Sequence, residues 1–193
     1  RGKIVSAAWK LFYEQGYEDT TVDDIIYESG TSKGSFYHYF DGKDALLSTL
    51  SSLFDEKYEE LTGLLTPEMT AMEQLLFLNR ELFHMIEDSI SLDLLARLYS
   101  TQLTTNGEKH LLDHNRIYYK LLRKIIAKGQ SEGQLSSRSN VNEMVKLYAL
   151  CERALLYDWC LCAGEYALTE YSAKVLPGFL SSFLYVKKGG NYG

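Results

Sequence analysis

A short run of polar and aromatic residues, Ser32 to Tyr39, carries side chains that are suited to contacting nucleic acid. Lys33 supplies a cation, the neighbouring hydroxyls donate or accept hydrogen bonds, and Gly34 lets the backbone approach a ligand closely. Phe36 and Phe40 lie four residues apart, which predicts one apolar side on a helix of about two turns. We interpret this segment as a helix that is anchored on one side and presents its other sides to the DNA major groove.

A second helix must precede this one and position it. Thr21 and Asp24 form a capping-box pattern, which predicts that a helix begins near Val22. Gly30 is predicted to end that helix, because glycine adopts the left-handed conformation of a helix end most easily. Two short helices joined by a glycine turn indicate a helix-turn-helix, although this spacing alone also occurs in proteins that do not bind DNA. Lys43 would fall in the first turn of the next helix, where it is predicted to contact a phosphate.

The run from Ile4 to Leu47 resembles the DNA-binding domain of the TetR family of transcriptional regulators. The resemblance implies a three-helix head, sequence-specific binding of double-stranded DNA and repression of transcription. The matching positions are Ala7, Ala8, Leu11, Phe12, Gly16, Thr20, Thr21, Asp24, Ile25, Gly30, Gly34, Ser35, Phe36, Tyr37, Phe40, Lys43, Leu46 and Leu47.

The resemblance also implies how individual residues contact DNA. Thr21 would contact a phosphate, residues 33–35 would face the base edges, and Lys43 with the nearby tyrosines would hold the backbone. His38 and Tyr39 stand in the reverse of the family's usual order, so either ring can be the phosphate contact. The predicted DNA-binding residues are Thr21, Ser32, Lys33, Gly34, Ser35, Tyr37, His38, Tyr39 and Lys43.

The charge of the chain supports a second hypothesis. The sequence has 20 basic and 26 acidic residues, and the first 45 residues hold five basic and eight acidic ones, whereas DNA-binding heads are usually basic. Residues 31–43 nevertheless carry a net charge of +1, and phosphate attraction acts over a screening length of only about 8–10 Å. We therefore expect modest DNA affinity. The alternative is a helical ligand-binding or protein-interaction dimer that does not bind DNA.

Composition and motifs limit the remaining possibilities. The 193 residues contain two prolines and long periodic apolar runs, which predict an all-α fold. We find no glycine-rich phosphate loop, nucleophile motif or metal-ligand set, so an enzyme, a cofactor and a metal are not predicted. His110 and His114 have a metal-binding helical spacing but lack an evident third ligand. The apolar runs are too short to span a membrane and no signal peptide is recognisable, so we expect a cytoplasmic protein.

The segment beyond the head is predicted to form a helical bundle. We divide the chain into a DNA-binding domain, residues 1–47, and an effector-binding and dimerisation domain, residues 48–193. The second domain should contain about six helices, as in TetR-like proteins. Their expected ranges are about 43–65, 67–86, 91–104, 108–129, 141–163 and 169–186, with a kink or break at Pro177.

The last two predicted helices are apolar over more than one face. Such a helix needs two partners, and the second partner is either an internal core element or another subunit. The family resemblance implies a homodimer through these helices, which would place two recognition helices in successive major grooves. The predicted interface residues are Leu147, Leu150, Ala154, Leu155, Val175, Leu176, Phe179, Leu180 and Phe183.

The resemblance also implies a pocket for a small effector in the middle of the second domain. Effector binding would shift the protein towards a conformation that fits DNA poorly. The predicted pocket is partly aromatic with a few polar groups, and its residues are Phe77, Phe83, Tyr99, Gln102, His114, Tyr118 and Trp159.

Overall fold

The computed structural model describes residues 1–104 and 109–184, and all regular secondary structure in these ranges is helical. The predicted all-α fold is therefore confirmed. None of the helices in these ranges combines the length and apolar content that a membrane span requires. The helices are α1 (Gly2–Gln15), α2 (Val22–Ser29), α3 (Lys33–Tyr39), α4 (Lys43–Leu47), α5 (Leu50–Thr62), α6 (Ala71–Ser89), α7 (Leu92–Thr104), α8 (Ile117–Ser131), α9 (Val141–Leu161) and α10 (Leu168–Leu180), with 3₁₀ turns at His110–Leu112 and Ser181–Phe183.

The chain forms two compact units. The first consists of residues 1–56 and 88–113, and it combines the amino-terminal helices with α7. The second consists of residues 57–87 and those from 114 onward, and it contains α6, α8, α9 and α10. These units are a physical division of the fold. The functional division between residues 47 and 48 stays a prediction.

The helix starts in the head follow the local signals in the sequence. The Oγ1 atom of Thr21 accepts a hydrogen bond from the Asp24 amide at 3.1 Å, and the Thr21 amide donates to Asp24 Oδ2 at 2.8 Å. Gly30 ends α2 with a φ of +61°, in the left-handed region where glycine is not strained. Ser32 then caps α3, since its Oγ accepts from the Ser35 amide at 3.1 Å. The predicted start and end of α2 are confirmed.

The core of the head lies between α1, α2 and α3. Ile4, Phe12, Ile25 and Phe36 are almost completely buried. The rings of Phe36 and Phe40 lie 5.9 Å apart between their centroids, and both are buried. The two phenylalanines predicted to anchor α3 are thus core residues.

The predicted single helix from 43 to 65 is wrong. The structure has two helices there, α4 and α5, with a break at Ser48 and Thr49. The hydroxyl of Thr49 donates to the Leu46 carbonyl at 2.6 Å and accepts from Trp9 Nε1 at 2.9 Å. Thr49 is buried, so its polar atoms need such partners, and these side-chain contacts accompany the local departure from the helix.

Two other predicted helix starts are also wrong. The helix expected at Pro67 begins at Ala71, because Thr70 and Glu73 supply the reciprocal cap: the Thr70 amide donates to Glu73 Oε2 at 2.7 Å, and the Glu73 amide donates to Thr70 Oγ1 at 3.2 Å. The helix expected at residue 108 begins at Ile117. Neither His110 nor His114 lies on α8, so their four-residue spacing does not place them on one helical face.

The last predicted helix differs from the observed one at its end. Helix α10 continues through Pro177 to Leu180 and is followed by the 3₁₀ turn. The expected break at Pro177 is therefore displaced by about one turn. The predicted end at residue 186 lies outside the described residues.

A buried polar network crosses the second unit around Glu152, which is only 4% exposed. Asn79 Nδ2 donates to Glu152 Oε1 at 2.9 Å, and the Tyr118 hydroxyl donates to Oε2 at 2.6 Å. Ser172 Oγ extends the network by donating to Asn79 Oδ1 at 2.5 Å. The network therefore joins side chains of α6, α8, α9 and α10.

The pKa of Glu152 is set by the surroundings of its carboxyl group. Burial raises the pKa of its carboxyl group, while hydrogen bonds with Tyr118, Asn79 and Tyr148 oppose that rise. The single hydroxyl proton of Tyr148 is donated to the Leu75 carbonyl at 2.8 Å. Burial is the largest of these effects, so the pKa of Glu152 is raised in the folded protein.

We predict that Glu152→Gln changes the pH dependence of stability. Because the pKa of Glu152 is raised in the folded state, its contribution to stability is full below about pH 4.5 and is lost as pH rises through the folded pKa. Each pH unit between the unfolded and folded pKa values costs about 1.4 kcal/mol. The Gln variant cannot ionise, so its free energy of unfolding should rise relative to wild type between pH 5 and 8.

Urea unfolding of the two proteins at a series of pH values measures this difference. Glu59→Gln, at an exposed position of α5, is the matched control and should run parallel to wild type. Parallel curves for Glu152→Gln and wild type over the same range would contradict a raised pKa.

Candidate nucleic-acid interface

The outward side of α3 is the candidate interface. Phe36 and Phe40 hold the helix against the head from its inner side. Ser35 is half-buried beside them. The exposed residues of α3 are Lys33, Gly34, Tyr37, His38 and Tyr39.

Gly34 has no internal steric reason to be glycine. A Cβ atom added there would meet no atom within 4 Å. Glycine inside a helix costs roughly 1 kcal/mol relative to alanine, so the residue is unfavourable for the isolated fold. A close approach by something outside the chain would explain it.

Lys33 is held only loosely. Its Nζ lies 3.5 Å from Asp23 Oδ1, and both side chains are largely exposed. Exposed ion pairs of this kind contribute little to stability, so Lys33 can leave Asp23 for a group on DNA at low cost. The rings of His38 and Tyr39 pack edge to face with centroids 4.7 Å apart, and both remain exposed. Contact of either ring with a DNA backbone stays a prediction.

Two hydroxyl residues that are predicted to contact DNA, Thr21 and Ser32, cap helices in the structure. Besides its cap, Thr21 donates from Oγ1 to Asp24 Oδ2 at 2.6 Å, and these hydrogen bonds lower the pKa of Asp24. Ser32 is the cap of α3. Both residues are exposed at the edge of the candidate interface, and their contacts with DNA stay predictions.

Lys43 has a structural role that the sequence did not indicate. Its ammonium donates to the carbonyls of Tyr17 at 2.8 Å, Glu18 at 3.1 Å and Thr20 at 3.0 Å. It also lies 4.5 Å from the centroid of the Tyr17 ring. An ammonium group has three donors, and all three are used here. A phosphate contact by Lys43 stays a prediction, and it would have to displace one of these carbonyls.

Tyr17 is the centre of a wider polar cluster in the first unit. Its buried hydroxyl donates to Asp44, and burial followed by that hydrogen bond raises the pKa of Tyr17. The guanidinium of Arg97, on α7, lies 4.8 Å from the centroid of the same ring. Arg97 also pairs with Glu18 and, at 2.9 Å, with Asp93. Side chains 26, 27 and 80 positions away in sequence thus converge on Tyr17.

The residues of the predicted effector pocket have different environments. In the second unit, Phe83, Tyr118 and Trp159 are buried in the core, and Trp159 Nε1 donates to the Tyr166 carbonyl at 2.9 Å. His114 is exposed, whereas Phe77 is half-buried. In the first unit, Tyr99 is half-buried, and Gln102 accepts from the Leu111 amide at 3.2 Å and lines a cavity of about 430 Å³. Their role as a pocket stays a prediction.

A larger cavity of about 640 Å³ lies between α6 and α10 in the second unit. Phe77 is the one predicted pocket residue in its lining. Sequence reasoning missed this cavity because its two walls come from helices about 90 residues apart. Its lining residues are Glu68, Met69, Glu73, Leu76, Phe77, Asn79, Arg80, Thr169, Ser172, Ala173, Leu176 and Pro177.

The predicted dimer residues separate into two groups. Those that remain exposed or half-buried are Leu147, Leu150, Ala154, Val175 and Phe179. Those that are buried within the chain itself are Leu155, Leu176, Leu180 and Phe183. A side chain that is buried in the core of its own chain offers little surface to a partner. The second group is therefore less suited to a dimer interface than the first. Further exposed apolar residues on the same helices are Tyr157, Leu161 and Tyr171.

The chain is similar in sequence to known regulatory proteins. The sequence pattern of "Bacterial regulatory proteins, tetR family" matches residues 4–50, which contain most of α1 and all of α2, α3 and α4. The HTH-type transcriptional regulator HbdR of Aromatoleum sp. (strain CIB) is 45% identical over 62 residues, covering 32% of this chain and 27% of that protein. The chain matches about a quarter of the length of HbdR and of two similar regulators.

Two further proteins are similar over the whole chain. The fatty acid metabolism regulator protein of Bacillus subtilis (strain 168) is 23% identical over 183 residues, or 93% of each chain. The structure of Thermus thermophilus FadR, a TetR family transcriptional repressor in complex with lauroyl-CoA, has a TM-score of 0.76 and 24% identity. The similarity covers 100% of this chain and 99% of that one, and it establishes a shared fold.

Residues 4–50 thus match the TetR family of bacterial regulatory proteins, and the chain shares its all-helical fold with a TetR family repressor.

Proposed function

We propose that this protein is a sequence-specific, DNA-binding transcriptional regulator that acts as a homodimer and represses transcription until a small effector binds. The observation that carries the proposal is the outward side of α3. Its exposed lysine, histidine and tyrosines surround a glycine that the fold itself does not require. A slim helix with donors on its surface suits the major groove, where base edges present donors and acceptors.

The contacts divide into those that specify sequence and those that position the protein. We assign Lys33 and Ser35 to base edges, and Gly34 removes a side chain that would hold the backbone away from them. Tyr37, His38 and Tyr39 are suited to phosphate contacts because they are exposed and carry polar groups. With few cations in this set, we expect modest affinity and a small dependence on salt.

A homodimer is supported by an apolar stripe on α9. Leu147, Leu150, Ala154, Tyr157 and Leu161 recur at intervals of three or four residues and are exposed or half-buried. This spacing places them on one side of the helix, in the pattern that packs against a partner helix. A twofold axis through such an interface would give the two heads the symmetry of a palindromic operator.

A small effector is the remaining partner in the proposed function. The T. thermophilus structure is of a complex with lauroyl-CoA, and a Bacillus subtilis FadR structure, 23% identical to this chain, is of a complex with stearoyl-CoA. These ligands belong to those proteins. For this chain we propose only that the effector is a small molecule bound in the second unit.

The acidic head favours one competing function, a helical dimer that binds a ligand or protein but no DNA. Five basic against eight acidic residues in positions 1–45 would repel DNA at long range. Selection from DNA therefore decides between the two functions.

Selection of bound fragments from a random pool of double-stranded DNA should enrich a palindromic sequence. Lys33→Ala should weaken binding to that sequence and relax its specificity at the base that Lys33 contacts. Tyr37→Ala should weaken binding with little loss of specificity, because it is assigned to the backbone. Enrichment of no sequence at low salt, with a folded protein, would favour the dimer that does not bind DNA.

We predict that Lys43→Ala destabilises the protein whereas Lys33→Ala does not. The first change removes three hydrogen bonds from a charged donor and a cation–π contact, a loss of roughly 1–3 kcal/mol. The second removes one long, exposed ion pair. Urea unfolding measures both. If Lys43→Ala keeps wild-type stability but lowers the salt slope by one unit, Lys43 is a phosphate contact and not a structural one.

We predict that Leu150→Glu converts the dimer to a folded monomer. The change places a charge in the α9 stripe, where a twofold interface would bring two copies close together. Leu64→Glu is a matched control, since Leu64 is 55% exposed and Leu150 is 50% exposed. Light scattering after size-exclusion chromatography gives the mass of each variant. A dimer that survives Leu150→Glu but not Leu64→Glu would place the interface elsewhere.

A further inference from the structure

The cavity between α6 and α10 has the size and lining of a ligand site. Its volume of about 640 Å³ falls within the range of small-molecule pockets, roughly 300–1,000 Å³. Leu76 and Phe77 of α6 and Leu176 of α10 contribute apolar lining. An apolar body would therefore be removed from water on entering the cavity.

Two buried polar side chains also line the cavity. Asn79 is 2% exposed and Ser172 is fully buried, and both are part of the network around Glu152. Asn79 Nδ2 uses one N–H for Glu152, and its side-chain oxygen accepts from Ser172. Both side chains are inaccessible or nearly so, and their mutual hydrogen bond makes them a fixed polar layer directly behind the lining.

The charged residues of the lining make it acidic. Glu68 and Glu73 both line the cavity. Hydrogen bonds from the side chain of Thr66 lower the pKa of Glu68, and those from the backbone and side chain of Thr70 lower the pKa of Glu73. Both carboxylates are therefore ionised at neutral pH.

The cation in the lining is already engaged. Arg80 pairs with Glu81 at 2.9 Å, and its guanidinium lies 5.5 Å from the centroid of the Phe77 ring. Its charge is thus partly neutralised by a carboxylate outside the cavity. The net field at the cavity favours a positively charged ligand and disfavours an anion.

We propose that this cavity binds an amphipathic organic amine, with its ammonium group beside Glu68 and Glu73 and its apolar body against Leu76, Phe77 and Leu176. Asn79 and Ser172 form the buried polar layer behind the same lining. The assignment differs from the acyl-CoA ligands of the similar structures, whose phosphates the two carboxylates would repel. Binding of the amine requires no DNA, so the ligand assignment does not depend on the proposed function. Only the inference that the amine regulates transcription rests on that function.

Three eight-carbon probes test the ligand class on the whole chain by isothermal titration calorimetry. Their head groups are an ammonium, a hydroxyl and a carboxylate. Octylamine should bind more tightly than 1-octanol, and octanoate should bind weakest. The double variant Glu68→Gln with Glu73→Gln should weaken octylamine binding roughly five- to tenfold and leave 1-octanol unchanged. Glutamine keeps the shape and acceptor oxygen at both positions, so the caps should persist.

A second pair of variants tests the location. Ala173→Trp should fill the cavity and abolish binding of octylamine and of 1-octanol. Ala127→Trp is the control, because Ala127 is an exposed alanine of α8 in the same unit and does not line the cavity. Equal binding of octanoate and octylamine, wild-type binding by Ala173→Trp, or no binding of any probe would overturn the proposal. None of these results bears on DNA binding, so failure of the two proposals can be told apart.

Discussion

The ammonium group of Lys43 is the interaction on which the geometry of the head depends. It binds the carbonyls of Tyr17, Glu18 and Thr20, which come directly before the cap of α2 at Thr21. Lys43 itself begins α4, directly after the turn that follows α3. One side chain therefore joins the segment before the helix-turn-helix to the segment after it. The α2–α3 pair is held at both ends, which limits how far α3 can move relative to the rest of the head.

The same constraint extends to α7 through Tyr17. The ring of Tyr17 contacts both Lys43 and Arg97, and its hydroxyl bonds to Asp44. Arg97 is itself held by Asp93 and Glu18, so its guanidinium is oriented and not merely nearby. A displacement of α7 would thus disturb the turn that Lys43 holds. This gives α7 a direct physical connection to the position of α3 within one compact unit.

Much of the head could be predicted because its signals are local. The cap at Thr21 and the glycine at Gly30 act within three or four residues, so the sequence contains both partners of each interaction. The break at Thr49 and the role of Lys43 could not be predicted, since their partners lie 40 and 23 to 26 residues away. The candidate interface on α3 could be predicted because its signals are local. The cavity between α6 and α10 could not, because its walls come from helices that are distant in sequence.

Helix α9 shows why an apolar pattern alone could not separate core from interface. Apolar residues occupy two sides of this helix, and sequence periodicity does not say which side faces inward. The position of Glu152 resolves the question in the structure, because its carboxyl group needs Asn79 and Tyr118 as partners and so marks the inner side. Leu150 and Tyr157 lie on the other side and are half exposed. The one buried carboxyl group in this apolar helix therefore identifies which stripe faces outward, and the proposed dimer would cover that outer stripe.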